Sequence, residues 1–339
     1  MRDEIEQLKI DRPIYVAGVP RAGTTIVTEM LARHTDVTSH RYSDFPNVYT
    51  PYWRNWLAER SRRRPAKAVE RAHRDRIMIS TESPEAVEEV IWMHYFDHLH
   101  NPSTNQVLGP GTTNPGFEHY YRDHIRKLLL VRGRTRYLAK GNYNATRLGY
   151  IRQLFPDARF IVPVRHPVNQ VASLVKQDRL FERANTEDSR VERQLGLSGH
   201  FEFGPGRQPV CIGDGKHARM INEHWQASRR VAGWALYWHS IYSHVLDTLE
   251  QDSELASAVF LLRYEDLCRE PAPVLSRLFE HARLDAAGAD PLVAEYADRI
   301  SEPDYYRADF SAAELKQISE ICHLTAGRLG YNLEPETDQ

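Results

Sequence analysis

The stretch "PIYVAGVPRAGTTIVTEMLARH", residues 13–34, decides how the chain is read. "PIYVAGV" (13–19) is a β-branched and aromatic run ending in glycine, the pattern of a buried strand. "TTIVTEMLARH" (24–34) sets Ile26, Met30 and Leu31 at helical spacing behind threonines that can cap a helix. Between the two, Gly18 and Gly23 give the Gly-x-x-x-x-Gly spacing of a loop that cradles phosphate. A nucleotide-hydrolysing loop carries lysine at the next position, and here that position is Thr24. The cation sits inside the loop instead, as Arg21.

Backbone N–H groups of residues 21–25 would lie at a helix N-terminus, where the helix dipole favours an anion. Arg21 adds a full charge, Ala22 and Gly23 form the turn, and Thr24 and Thr25 add hydroxyl donors. A bare strand-to-helix connection is the competing reading of a Gly-Thr-Thr turn. The displaced cation carries further information. A terminal phosphoryl group brings about two negative charges, and its transfer leans on Mg²⁺ and a loop lysine. A sulfuryl group brings one, which loop amides and one or two cations can balance without a metal. The loop therefore fits sulfuryl transfer better than ATP hydrolysis.

Further along, strands alternate with helices. "RYLAK" (136–140), "RFIVPV" (159–164) and "AVFLLRYEDL" (258–267) read as strands. Residues 24–34, 116–133 and 231–249 read as helices, and others start near Thr146 and Val168. "SPEAVEEVIWMHYFDHLH" (83–100) reads as one amphipathic helix started by Ser83 and Pro84. Its His94 and His98 have a metal-like spacing but no third ligand in sequence. The expectation is an α/β chain with a central parallel sheet covered by helices on both faces. Residues 53–76 are helical in composition and strongly basic, either a solvated surface or a face for an acidic acceptor. Residues 180–222 hold many glycines and charges with no sustained period, and read as a long loop or lid within a single domain spanning 1–339.

Composition narrows the class. The chain has 339 residues, 41% hydrophobic and 27% charged, with a formal net charge of -2. That balance argues against a nucleic-acid coat. Cys211, Cys268 and Cys322 lack metal or disulfide spacing, no run approaches a membrane span, and the mean hydropathy is -0.57. The expectation is a cytoplasmic protein.

A second anion site follows "FIVPV". Arg165 ends a strand and Ser173 lies eight residues on, within the next helix, offering a guanidinium fork and a hydroxyl to one phosphate. With this pair in view, the chain resembles the sulfotransferases that use 3′-phosphoadenosine 5′-phosphosulfate (PAPS). In that family a loop of the "PRAGTT" type holds the 5′-phosphosulfate, and an arginine followed eight residues later by serine holds the 3′-phosphate. Residues 20–25 match the first element, and Arg165 with Ser173 the second. "LFPDARFIVPVRHP" (154–167), "LLRYEDLCREPAPVLSRLFEHARL" (261–284) and "AAELKQISEICHLTAGRLGY" near the end also resemble the family's segments.

The resemblance implies a P-loop-like sulfotransferase fold and in-line transfer from PAPS to an acceptor hydroxyl or amine, with no metal. The acceptor could be a small molecule, a glycan or a lipid. In the tyrosylprotein branch a lysine 25 residues before the 3′-phosphate arginine stabilises the transferring group, and Lys140 stands there. That branch puts a glutamate 21 residues after the loop arginine, where this chain has Tyr42. His40 and Asp44 flank Tyr42 and would share a face if "SHRYSDF" is extended, so they are the candidate bases, with Glu82 next. Arg21, Lys140, His40 and Asp44 form the expected catalytic set. A P-loop kinase and a non-catalytic nucleotide-binding protein are the alternatives.

Overall fold

All four residues of "IYVA" are buried, so this strand lies inside a sheet and not at its edge. The computed structural model describes residues 2–60, 69–70, 78–302 and 308–333. In chain order the elements are α1 (Arg2–Gln7), β1 (Ile14–Ala17), α2 (Thr24–Ala32), β2 (Val37–Ser39), α3 (Pro51–Arg60), β3 (Val69–Glu70), β4 (Met78–Ile79), α4 (Glu89–Tyr95), α5 (Pro115–Arg132), β5 (Arg136–Gly141) and α6 (Leu148–Leu154). They continue with β6 (Arg159–Val164), α7 (Pro167–Glu187), α8 (Arg190–Leu197), α9 (Lys216–Gln226), α10 (Arg230–Gln251), α11 (Ser253–Ala258), β7 (Val259–Arg263), α12 (Tyr264–Arg269), α13 (Pro271–His281), α14 (Ala286–Ala297) and α15 (Ala312–Arg328).

Five strands form one sheet in the order β2-β5-β1-β6-β7, and every pairing is parallel. The central parallel sheet flanked by helices is therefore present. Strand side chains alternate between faces. On β1, Ile14 and Val16 join a core with Val27, Met30 and Leu31 of α2 and Leu275 and Leu278 of α13. Tyr15 and Ala17 face the opposite core, built with Tyr121 and Ile125 of α5 and Trp234, Trp238 and Ile241 of α10. Burial on both faces explains why these strands read as unbroken apolar runs. Helix ends follow local chemistry. Asn114 caps α5 by accepting from the Phe117 N–H, Pro115 fills its first position, and Gly133 closes it in the left-handed region. Among the described residues, no helix is long and apolar enough to cross a membrane.

Three expectations change. The single helix over 83–100 is shorter, since only Glu89–Tyr95 is helical and the chain from Ser83 to Pro84 pairs instead with residues 41–42. His94 and His98 thus share no helix face. Residues 180–222 are not one irregular loop: α7 runs to Glu187, α8 follows, and α9 begins at Lys216. "SHRYSDF" is not extended throughout, because Tyr42–Asp44 forms a 3₁₀ turn in which Asp44 Oδ2 accepts from the Arg41 N–H at 2.9 Å. Of the basic stretch 53–76, residues 53–60 are helical, while 61–68 and 71–77 lie outside the described residues.

Candidate active site

β1, β5 and β6 all end on the same edge of the sheet, and each delivers a functional segment there. This is where open parallel sheets present ligands, outside the carboxyl ends of central strands. β1 runs into the glycine loop, β5 carries Lys140 at its end, and β6 is followed by Arg165. Lys140 is registered against Val16, so strand pairing brings it beside the loop.

The loop has an unusual backbone. Gly23 has φ +93° and Arg21 φ +72°, both in the left-handed region. A Cβ on Gly23 would stand 2.7 Å from the Tyr264 ring, so both space and dihedral require glycine. Gln170 of α7 fastens the loop from below. Its amide Nε2 donates to the Pro20 carbonyl at 3.0 Å, while its Oε1 accepts from Trp238 Nε1 at 3.0 Å. Sequence reading missed Gln170, because a glutamine one turn into a helix has no motif of its own.

The two expected anion sites are joined. Arg21 Nε donates to Ser173 Oγ at 3.0 Å, linking the loop to the helix after Arg165. The Arg165 guanidinium lies 5.0 Å from the centre of the Tyr264 ring, the same ring that closes on Gly23. Arg165 Nε is buried and finds no acceptor among the described residues. A buried donor without an acceptor is costly, and an oxyanion would satisfy it. The Arg21, Ala22, Gly23, Thr24, Thr25, Arg165 and Ser173 set is thus brought to one place.

Lys140 Nζ reaches Thr25 Oγ1 at 3.5 Å and Glu85 Oε1 at 3.6 Å. Glu85 was not among the expected bases. It arrives through backbone pairing: the Glu85 N–H donates to the His40 carbonyl at 2.9 Å, and the Tyr42 N–H donates to the Ser83 carbonyl. The Tyr42 side chain also hydrogen-bonds the Glu85 carboxylate. Tyr42 therefore occupies the position where a glutamate was sought, and holds a glutamate from a neighbouring segment. Burial alone would raise the Glu85 pKa, but Lys140, His200 and the Tyr42 and Ala86 hydrogen bonds bring it down to about 2.

His40 and Asp44 are engaged elsewhere. His40 Nδ1 lies 3.1 Å from Asp44 Oδ2, and His40 Nε2 lies 2.9 Å from His124 Nε2. Asp44 also accepts from Arg132 Nη2 at 2.9 and 2.8 Å, and both side chains are at most 2% exposed. Although burial opposes it, His40, Arg132 and the Arg41 N–H hold the Asp44 carboxyl well below the usual carboxylate range. His40 and Asp44 thus sit in one buried network with His124 and Arg132. Glu82 is half exposed and paired with Arg41.

Gly199, His200 and Glu202 line a cavity together with Lys140. Asn142 Nδ2 donates to Glu202 Oε1 at 2.6 Å, and His200 Nδ1 lies 3.5 Å from Glu202 Oε2. Burial would lower the His200 pKa, but Glu202 and Glu85 raise it.

Comparison with known proteins bears on this arrangement. A model of the sulfotransferase family matches residues 13–200, more than half of the chain. No curated protein sequence matches. Among solved structures, sulfotransferase STF9 from Mycobacterium avium superposes with a TM-score of 0.56 at 15% identity, covering 98% of this chain and 81% of that one. That likeness is one of fold. Sulfotransferase STF1 from Mycobacterium tuberculosis gives a TM-score of 0.49 at 13% identity, with 96% and 79% covered. A sulfotransferase from Alicyclobacillus acidocaldarius gives 0.45 at 13%, with 94% and 95% covered. On the span of the family match, the chain belongs to the sulfotransferase family.

Proposed function

We propose that the protein transfers a sulfuryl group from PAPS to an acceptor hydroxyl, with Lys140 and Glu85 as the catalytic pair. The observation that carries this reading is the 3.6 Å contact between Lys140 and Glu85, next to two linked anion cradles. The loop of residues 21–25 would hold the 5′-phosphosulfate, and Arg165 with Ser173 the 3′-phosphate.

The acceptor oxygen attacks sulfur in line and forms the new O–S bond. The bond between sulfur and the 5′-phosphate oxygen breaks, and its electron pair leaves with adenosine 3′,5′-bisphosphate. Glu85 takes the acceptor proton, and Lys140 balances charge on the transferring group. A carboxylate with a pKa of about 2 is a weak base in the free protein. Donor binding changes this, because the sulfuryl group draws on the Lys140 charge and adds negative charge near Glu85. Both effects raise the Glu85 pKa toward the range where a base works. Thr24 in the place of a loop lysine, and Arg165 at the end of β6, distinguish this site from a kinase built on the same architecture.

The test is ligand-induced thermal stabilisation. Adenosine 3′,5′-bisphosphate at ~100 times its dissociation constant should add about 2.7 kcal/mol, and ATP with Mg²⁺ little. Equal stabilisation by AMP and the bisphosphate would remove the role given to Arg165 and Ser173. Stabilisation without turnover over a broad acceptor panel would favour a non-catalytic nucleotide-binding protein.

A further inference from the structure

Beside Lys140 lies a cavity whose walls include Trp92, Asn144, Glu89, His200 and Glu202. Its free volume is about 10 Å³, room for one water-sized group. Two of its lining residues carry buried donors with no acceptor among the described residues: Trp92 Nε1 and Asn144 Nδ2. Both residues are fully enclosed, Trp92 1% and Asn144 2% exposed. Trp238 Nε1 is matched by Gln170, and the other unmatched indole donors among the described residues, Trp225 Nε1 and Trp234 Nε1, belong to residues outside this lining. Two orphaned N–H groups around one cavity mark a place built for an oxygen.

The remaining walls say which kind of oxygen. Glu89 is ionised: burial would raise its pKa, but Arg147 and His100 hold it down to about 2. Glu202 is buried, and its pKa is lowered as well, by His200 and Asn142 against the effect of burial. A carboxylate or phosphate entering here would meet the Glu89 and Glu202 charges, while Lys140 and His200 in the same lining are already paired with Glu85 and Glu202. An ammonium group would have no lone pair to offer Trp92 and Asn144. A carbonyl could accept from them but would give nothing to the carboxylates. A hydroxyl does both, accepting from the amide and indole while donating its own proton to a carboxylate.

We propose that this cavity recognises a second hydroxyl of the acceptor, next to the one that is sulfated, and that the acceptor is a polyhydroxylated molecule of the sugar or cyclitol type. The proposal rests on the sulfuryl-transfer reading for the identity of the neighbouring site. Lys140 lines the cavity and touches Glu85, so a hydroxyl held here places its neighbour at the catalytic pair. Asn144 is the selecting residue. Gly141 makes room for it, since a Cβ there would stand 2.9 Å from the Asn144 amide.

Calorimetric titration of methyl α-glucopyranoside and myo-inositol into the bisphosphate-saturated protein tests this, with phenol as the single-hydroxyl control. At least one polyol should bind. Asn144→Asp, which replaces the donor with a second acceptor at constant size, should weaken it by roughly tenfold or more, and so should Asn144→Leu. Both variants should bind bisphosphate as the parent does, and phenol should be indifferent to the change. If neither polyol binds, or if both folded variants bind polyol as well as the parent, the cavity holds a structural water only and the proposal falls. Failure of the parent to bind bisphosphate is a separate result, against the donor reading. Polyol is then titrated into the ligand-free protein, where the same loss on Asn144→Asp is expected.

Discussion

The Lys140 ammonium stands 3.6 Å from the Glu85 carboxylate and 3.5 Å from the Thr25 hydroxyl, between the proposed base and the glycine loop. In the proposed reaction, one cation therefore faces both partners of the displacement. Removing it should harm the chemical step more than donor binding, because its charge matters most where charge develops. We expect Lys140→Ala to lower kcat by roughly 10²–10³, as loss of one electrostatic contact does in comparable sites. Bisphosphate affinity should change little. A variant with parental turnover and weakened bisphosphate binding would make Lys140 a ground-state contact.

Glu85→Gln keeps the shape of the site and removes the proposed base. Turnover with an alcohol acceptor should fall strongly, and the acidic limb of the kcat–pH profile should disappear. In the parent that limb should lie above pH 2, the value of about 2 belonging to the free protein and rising once the sulfuryl group is present. An unchanged profile in Glu85→Gln would place the base elsewhere.

Asp44 supplies the contrasting case. Its carboxylate neutralises Arg132 inside the protein, and losing one member of a buried pair strands the other. Asp44→Asn should destabilise the fold by about 3–5 kcal/mol. Denaturant unfolding measures this directly. The folded fraction should retain its turnover. Lost turnover at parental stability would instead return Asp44 to the list of bases.

Glu89 gives a pH dependence whose direction is fixed. Its ordinary value is 4.5 and its folded value about 2, so the stability it confers is complete above pH 4.5 and lost as pH falls toward 2. The Arg147 guanidinium grips it at 2.8 and 2.7 Å. The stability gap between the parent and Glu89→Gln should therefore be largest at neutral pH and narrow across that acidic window. A gap that stayed constant from pH 7 to pH 2 would show that the pair titrates outside it.

Much of this was legible from local pattern. The strand-loop-helix around Gly18 and Gly23, and the strand end at Arg165, are short-range features with period and turn chemistry, and the structure places them as read. Lys140 was singled out by the family resemblance, which sets a lysine 25 residues before Arg165, and the parallel register of β1 and β5 brings it beside the loop. Glu85 was hidden because two non-helical segments position it through the isolated bridge of Arg41 with Pro84. Nothing periodic announces such a contact. The same pairing consumed the residues expected to begin α4, and the 3₁₀ turn at Tyr42–Asp44 carried Asp44 back onto His40. In 180–222, glycines masked the helices: α8 has no buried residue, so it shows no core-facing stripe that ties it to the fold.

That segment leads to the remaining prediction. We propose that 198–207 is a fixed wall of the acceptor side and not a mobile cover. Asp178, fully enclosed, receives Arg207 Nη1 at 3.2 Å, Arg230 Nη1 at 2.9 Å and the Gly204 N–H at 3.2 Å. Glu182 pairs with the same arginines at 2.9 and 2.7 Å. Phe203 is buried between Phe181 and Trp234, with ring centres 6.0 and 5.5 Å away. Opening the wall would strand buried charges and expose an aromatic ring, so local opening should be rare. Amide hydrogen exchange should be slow at Gly204 in the free protein, and bisphosphate should change it little. Gly199 tests the wall from the other side. It has φ +77°, and a Cβ there would stand 2.6 Å from that of Glu89. Gly199→Ala should displace the wall, speed exchange across 198–204 and weaken acceptor use while leaving bisphosphate binding intact. Fast exchange in the free parent that slows on ligand binding would show a closing lid in place of a wall.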